Sequence, residues 1–220
     1  MSTELLSFDD ADALANAAAH FIGERARYSV HTHGSFQLAL SGGTTPVAML
    51  TALVKLDVPW RDVTIYQVDE RVAPEGDVSR NATALVDKFR GLHATLNLMD
   101  VDSTDLRDAA WQYASEIPDR FDLVHLGLGV DGHTASLTND ELLQLIPDQL
   151  VAHTKEFNGY ERLTMTPSAL ARAHQLLYVV SGASKAEALK KLLAGSLDIA
   201  ASHVAAERTL VMADMAAFSS

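Results

Sequence analysis

Cysteine is absent from the 220 residues, which excludes a disulfide framework and any thiolate metal site. Lysine and arginine together number 17 against 29 aspartates and glutamates, a formal net charge of -12. Such a surface repels nucleic-acid phosphates, so no nucleic-acid partner is expected and any phosphate binding must be local. No apolar run approaches the roughly 20 residues of a membrane span, so no membrane partner is expected either. Nothing resembles a secretory leader, and the expected location is cytoplasmic. Internal repeats are missing, and no Pro/Gly/Ser-rich linker or charge block divides the chain. It therefore reads as one domain over residues 1–220, and its 48% hydrophobic content is ample for a core.

What is present is an alternation of apolar runs with amphipathic ones, the pattern of an α/β fold. We expect a Rossmann-like, mostly parallel sheet with helices on both faces. Asp9-Asp10 would cap a helix through about Tyr28. Strand Phe36–Leu40 leads to Ser41-Gly-Gly-Thr-Thr45, and Pro46, tolerated in a first turn, would open a helix to about Leu56. Strand Val63–Val68, a polar loop from Asp69 to Arg80 and a helix from about Ala82 to Arg90 follow. A short strand near Leu96–Met99 and a helix from about Asp105 to Ile117 lead to the strand Phe121–Leu128. Gln149–His153 and Arg162–Thr166 read as strands of mixed polarity, suited to antiparallel pairing. Helix Pro167–Ala173, strand Leu176–Val180, turn Ser181–Ser184, helix Lys185–Ala194 and strand Thr209–Met212 complete the chain.

Three strand-to-helix junctions carry residues suited to chemistry. Gly127-Leu-Gly-Val-Asp-Gly-His133 ends an apolar strand with a glycine turn that presents Asp131 and His133 together. In open α/β sheets ligands sit beyond the carboxyl ends of strands, which puts His133 in a crevice. A neutral imidazole oriented by a carboxylate is a general base; the plain alternative is that Asp131 caps a following helix and His133 merely starts it. Ser41, Gly42, Gly43 and Thr44 lie where backbone N–H groups and a helix dipole favour an anion. That segment lacks the spacing of the nucleotide-binding loops, and a Gly-Gly turn can be only a tight connection. Asp69-Glu70-Arg71 ends another strand, and Ser79-Arg80-Asn81 closes the loop after it. Arginine's planar fork suits phosphate, although acid-acid-basic triplets are usually solvated surface and Ser79 or Asn81 can serve as a helix cap. Lys185 follows Ser181-Gly-Ala-Ser184 at a third junction. The remaining eight histidines show no metal-ligand spacing, and His31-Thr-His33 reads as a turn.

Taken in order, Leu38–Pro46, Val68–Pro74, Leu126–Leu137, Arg162–Thr166 and Ser181–Lys185 resemble the 6-phosphogluconolactonase family over nearly the whole chain. The resemblance implies a fold shared with glucosamine-6-phosphate deaminases and ribose-5-phosphate isomerases. It implies no metal or organic cofactor, and a small phosphorylated sugar lactone as substrate, hydrolysed to 6-phosphogluconate in the oxidative pentose phosphate pathway. By position, His133 would deprotonate the attacking water and Asp131 would orient it. Ser41, Gly42, Gly43, Thr44, Asp69, Arg71 and Lys185 would bind substrate and its phosphate, with Arg80 or Arg162 adding charge. Backbone N–H groups around Gly132 are the candidate for holding the oxyanion. No serine lies in a Gly-x-Ser-x-Gly context, which agrees with direct water attack. The oligomeric state stays open between monomer and weak homodimer.

The chain also departs from the family. Ser136-Leu-Thr-Asn139 stands where Ser-Leu-Phe-Pro is usual, Val78-Ser-Arg-Asn81 replaces Asp-Ser-Asn, and Phe157-Asn-Gly-Tyr-Glu161 replaces a proline-rich stretch. A glucosamine-6-phosphate deaminase is the nearest rival, but it carries a catalytic glutamate after its histidine and Ser136-Leu-Thr-Asn139 has none. A non-catalytic sugar-phosphate-binding module is the alternative from a different class; retention of both Asp131 and His133 favours an enzyme.

Overall fold

The computed structural model describes residues 2–219, without the side chains of Thr44 and Thr45. Seven parallel strands form the main sheet: β1 (Ser2–Phe8), β2 (Phe36–Leu40), β3 (Val63–Gln67), β5 (Thr95–Asn97), β6 (Leu123–Leu126), β9 (Gln175–Val180) and β10 (Arg208–Asp214). Their spatial order is β1-β10-β9-β6-β2-β3-β5. From β2 the chain winds outward through β3 to β5. It then returns to the other side of β2 with β6 and winds outward again. The reversal between β2 and β6 is a topological switch point, where the connecting loops part and leave a crevice.

Burial follows the pleat. On β2, Leu38 and Leu40 enter one apolar layer with α1 (Ala11–His33), α2 (Thr44–Leu53) and α3 (Asn81–Phe89). Ala39 faces the other layer, shared with α4 (Leu106–Glu116), α6 (Pro167–Leu170) and α7 (Ala186–Leu193). Each large side chain so buried contributes about 1.5–3 kcal/mol. Helices thus cover both faces, as the alternation of runs predicts. A second, antiparallel sheet of β4 (Asp69–Arg71), β8 (Tyr160–Met165) and β7 (Val151–Phe157) packs Val151, Leu163 and Met165 into the α4 side of the core. A short helix, α5 (Asn139–Leu142), precedes β7.

Several boundaries differ from expectation. Asp10 does cap α1, its carboxylate accepting from the Ala13 N–H at 2.8 Å. The helix, however, runs to His33 and ends on Gly34 (φ 88°), so His31 and His33 lie in its last turn and not in a loop. α2 starts at Thr44, two residues before Pro46. β1 lies outside the expected strands: six of its seven residues are exposed, and pairing with β10 places it at the sheet edge. β4 lies inside the expected loop 69–80.

His125 has a specific consequence for stability. It is fully buried on β6, both ring nitrogens lack a partner among the described residues, and burial lowers its pKa from 6.5 to about 4. The folded chain keeps the ring neutral while the unfolded chain takes up a proton below pH 6.5. Stability is therefore fully present above pH 6.5 and falls by about 3 kcal/mol as pH drops to 4. Urea unfolding across that range should show this acid limb in the wild type and a flatter one in His125→Leu. Equal slopes would contradict the buried neutral imidazole.

Candidate active site

The switch point collects the loops that follow β2, β3, β6 and β9. After β6, Gly129 N–H donates to the His133 carbonyl at 2.8 Å and Gly132 N–H to the Gly129 carbonyl at 3.1 Å. This tight turn needs φ of +84° at Gly132, and a Cβ there would meet Ile199 at 2.4 Å. It folds Asp131 back onto His133: Oδ1 lies 2.5 Å from the ring Nδ1 and accepts the His133 N–H at 3.2 Å. Burial opposes the Asp131 charge, but the hydrogen bonds from His133 outweigh it and hold the carboxyl below its ordinary pKa. Gly129 leaves the space for this pair, since a Cβ on it would stand 2.0 Å from Nδ1.

No helix starts at this turn. Residues 131–138 are turns and an isolated bridge between Thr134 and Leu137, and α5 begins only at Asn139. Asp131 therefore caps the histidine's own turn rather than a helix. The spacing Gly127-x-Gly129-x-x-Gly132 matches a dinucleotide fingerprint, but without a following helix its phosphate-binding geometry is missing.

The loop after β2 is tied to β6 by the Ser41 N–H, which donates to the His125 carbonyl at 3.2 Å. Gly42 is packed against Asn81; a Cβ there would lie 1.9 Å from Asn81 Oδ1. Gly43 (φ 117°) precedes α2, whose first N–H groups have no intrahelical acceptor, an arrangement that favours an anion. The side chain expected of Thr44 lies outside the described residues. Ser41 Oγ is buried and has no partner among the described residues.

After β3, the triplet Asp69-Glu70-Arg71 is β4 and not solvated surface. Glu70 is fully buried and accepts from Gln67 Nε2 and the N–H groups of Arg71, Asn81 and Ala82, at 2.7–2.8 Å. It thereby caps α3 from a distance, the role for which Ser79 and Asn81 are the local candidates. Pairing of β4 with β8 sets Arg71 opposite Arg162. Asp69 accepts from Ser136 Oγ at 2.7 Å and stands 3.8 Å from Arg162 Nη1. Burial lowers the Arg162 pKa, with Asp69 acting against that shift and Arg71 adding to it. Arg71 donates to the Ser79 carbonyl.

Lys185 ends the 3₁₀ turn Ala183–Lys185 after β9. Asp214 anchors that loop, accepting from Ser181 Oγ at 2.5 Å and the Gly182 N–H at 3.0 Å. Burial lowers the Lys185 pKa, against the pull of nearby Asp131.

These loops enclose a cavity of about 200 Å³. His133 forms one wall, and Ser41, Gly42 and Gly43 another; Asp69, Arg71, Arg162 and Lys185 line the remainder. Asp131 sits behind His133. Two further candidates are also off the wall. Arg80 turns away to Asp102, which it contacts through Nη1 at 2.9 and 3.2 Å, and its neighbour Asn81 faces the cavity instead. Gly132 shapes the turn, but its N–H and that of His133 are already bonded, so neither is open to an oxyanion. Glu70, Asn81, Ser136 and Asp214 support the site through tertiary contacts that carry no local sequence signal. Among the described residues no group of three or more His, Asp or Glu is arranged to hold a metal ion.

Residues 9–212 match the family described as glucosamine-6-phosphate isomerases/6-phosphogluconolactonase. A 6-phosphogluconolactonase of Rhizobium meliloti is 32% identical over 201 residues, covering 86% of this chain and 87% of the relative. One from Synechocystis is 30% identical over 184 residues, covering 77% and 76% of the two chains. The crystal structure of 6-phosphogluconolactonase from Thermotoga maritima superposes with a TM-score of 0.87 at 23% identity, covering 97% of this chain and all of that one. A monomeric glucosamine-6-phosphate deaminase superposes at 0.79 and 21% identity over 97% of this chain and 98% of its own. At those identities the superpositions establish the shared α/β fold. The match across residues 9–212, with relatives aligned over most of both chains, means that this chain belongs to the glucosamine-6-phosphate isomerase/6-phosphogluconolactonase family.

Proposed function

We propose that this enzyme hydrolyses 6-phosphoglucono-δ-lactone to 6-phosphogluconate, the ring-opening step of the oxidative pentose phosphate pathway. The observation that carries the reading is the Asp131–His133 pair on one wall of a cavity whose other walls hold Arg71, Arg162 and Lys185. With Asp131 accepting from Nδ1–H, the lone pair on Nε2 is free to take a proton from water. The water oxygen attacks the lactone carbonyl carbon, and a tetrahedral oxyanion forms. As it collapses, the bond from that carbon to the ring oxygen breaks, and the proton held by His133 passes to the departing oxygen. A δ-lactone is an activated ester, so a positioned base worth about 10²–10⁴-fold, together with orientation, suffices without a covalent nucleophile.

The phosphate is held by Arg71, Arg162 and Lys185, by the N-terminal N–H groups of α2 and by the buried Ser41 hydroxyl. Asp69 keeps Arg162 in place and completes the polar wall. The chain acts as one domain, since both sheets share one core, and as a monomer or weak homodimer. No helix among the described residues is long and apolar enough to cross a membrane, and we place the reaction in the cytoplasm.

Removing one cation should separate binding from chemistry. Arg71→Ala and Lys185→Ala are each expected to raise KM for the phosphorylated lactone by about tenfold to a hundredfold, the worth of a charged hydrogen bond. KM for unphosphorylated glucono-δ-lactone should hardly change. Equal damage to both substrates would mean that these residues are not a phosphate clamp. Robust ammonia release from glucosamine 6-phosphate would favour the deaminase reading instead.

A further inference from the structure

One residue outside the cavity wall touches two of the proposed functional groups at once. Phe157 closes β7 just before Asn158 and Gly159, which both have positive φ, 53° and 81°. Two such residues make the tight hairpin turn that suits the strand twist. A register shift between Thr154 and Phe157 re-aims the end of the strand. The Phe157 ring consequently lies 5.0 Å from the His133 ring, centroid to centroid, in an edge-to-face arrangement at 75°. The same ring is 5.2 Å from the guanidinium carbon of Arg162. Its backbone carbonyl also accepts from Arg162 Nε and Nη2 at 3.3 and 3.0 Å.

Each contact answers a mechanical need. Asp131 grips the imidazole at Nδ1 alone, and one hydrogen bond leaves the plane of the ring free to swing about it. An aromatic edge or face set against the ring supplies the second, off-axis contact that removes this freedom. Arg162 stands opposite Arg71 across the β4–β8 pair, and like charges push such forks apart. A ring face and a carbonyl oxygen on one residue are both attractive to a guanidinium and hold it in register. Both contacts arise from one residue, the last of β7.

We propose that Phe157 is a positioning residue that fixes the plane of the His133 imidazole and the aim of the Arg162 fork, joining the base to the phosphate clamp. The kinetic part of this proposal rests on the lactonase reading above. The structural part does not.

The test compares Phe157→Ala with Phe157→Tyr, which keeps the ring, on phosphorylated and unphosphorylated lactones. In Phe157→Ala, kcat should fall about tenfold on both substrates, because both use the same base. KM should rise for the phosphorylated lactone only, because only that substrate uses Arg162. Phe157→Tyr should restore both constants to within about twofold. The His133 ring protons should carry a ring-current shift in the NMR spectrum of the wild type and of Phe157→Tyr, and lose it in Phe157→Ala. If the alanine variant does not fold, Phe157→Leu keeps apolar volume without the ring and is expected to behave as the alanine variant would. Unchanged kcat and KM in the ring-less variant, or equal losses in it and in Phe157→Tyr, would overturn the proposal. Should the wild type hydrolyse neither lactone while the ring-current pattern holds, the function reading fails and the positioning role stands.

Discussion

His133→Ala should lower kcat/KM for 6-phosphoglucono-δ-lactone by about 10²–10⁴-fold, the usual worth of a positioned general base. The loss should fall on kcat. Arg71, Arg162 and Lys185 lie on other walls of the cavity and continue to bind the phosphate, so KM should stay near its wild-type value. Folding should be untouched, because the His133 side chain is a quarter exposed (26%) and its contacts are with the half-exposed Asp131 and with Phe157. Truncating it opens no hole in either apolar layer. Steady-state kinetics with freshly generated lactone, beside thermal unfolding of the same preparation, separates the two effects. A variant that unfolds early, or one that keeps near-wild-type kcat, would each contradict the role assigned to this ring.

Gly129→Ala should be almost as damaging, although it deletes no functional group. The added methyl would lie 2.0 Å from His133 Nδ1 and 2.6 Å from Asp131 Oδ1, where no carbon can sit. Backbone strain is not the cause, since Gly129 is not among the glycines with positive φ. The conflict is with the far ends of two side chains, so the fold survives and the histidine swings out. A displacement of about 1 Å at a reacting group costs on the order of 10²-fold, and kcat should fall by at least that much. The expected signature is wild-type thermal stability, lost activity and a His133 ring whose NMR signals no longer report the Asp131 contact. Wild-type kcat would mean that the turn can relax without losing the pair.

Residue order alone reveals part of this site and hides the rest. The glycine turn after an apolar strand is legible as the place where Asp131 and His133 meet, because that turn needs glycine at 129 and 132. Strand-helix alternation likewise exposes the parallel sheet, since buried parallel strands are nearly continuous apolar runs. β1 carries no such mark: six of its seven residues are exposed, and only its pairing with β10, some 200 residues away along the chain, makes it a strand. β4 is three residues long and exists through β8, far along the chain. Arg80 and Asn81 are adjacent, and which of them faces the cavity depends on Asp102 drawing the arginine away. Glu70 has the composition of surface, and its burial becomes legible only when the N-terminus of α3 is seen to end on it. The Gly132 N–H looked open as an oxyanion donor because its partner, the Gly129 carbonyl, is created by the turn itself.

Whether His133 drives water onto a phosphorylated lactone is read most directly from the lactone itself. NMR can follow the disappearance of freshly prepared 6-phosphoglucono-δ-lactone with wild-type protein, with His133→Ala and with buffer, correcting for spontaneous hydrolysis. We expect rapid conversion to 6-phosphogluconate with the wild type and a rate close to that of buffer with His133→Ala. Equal lactone loss with wild-type protein and with buffer would contradict the assigned activity, and equal rates for the two proteins would contradict the assigned base.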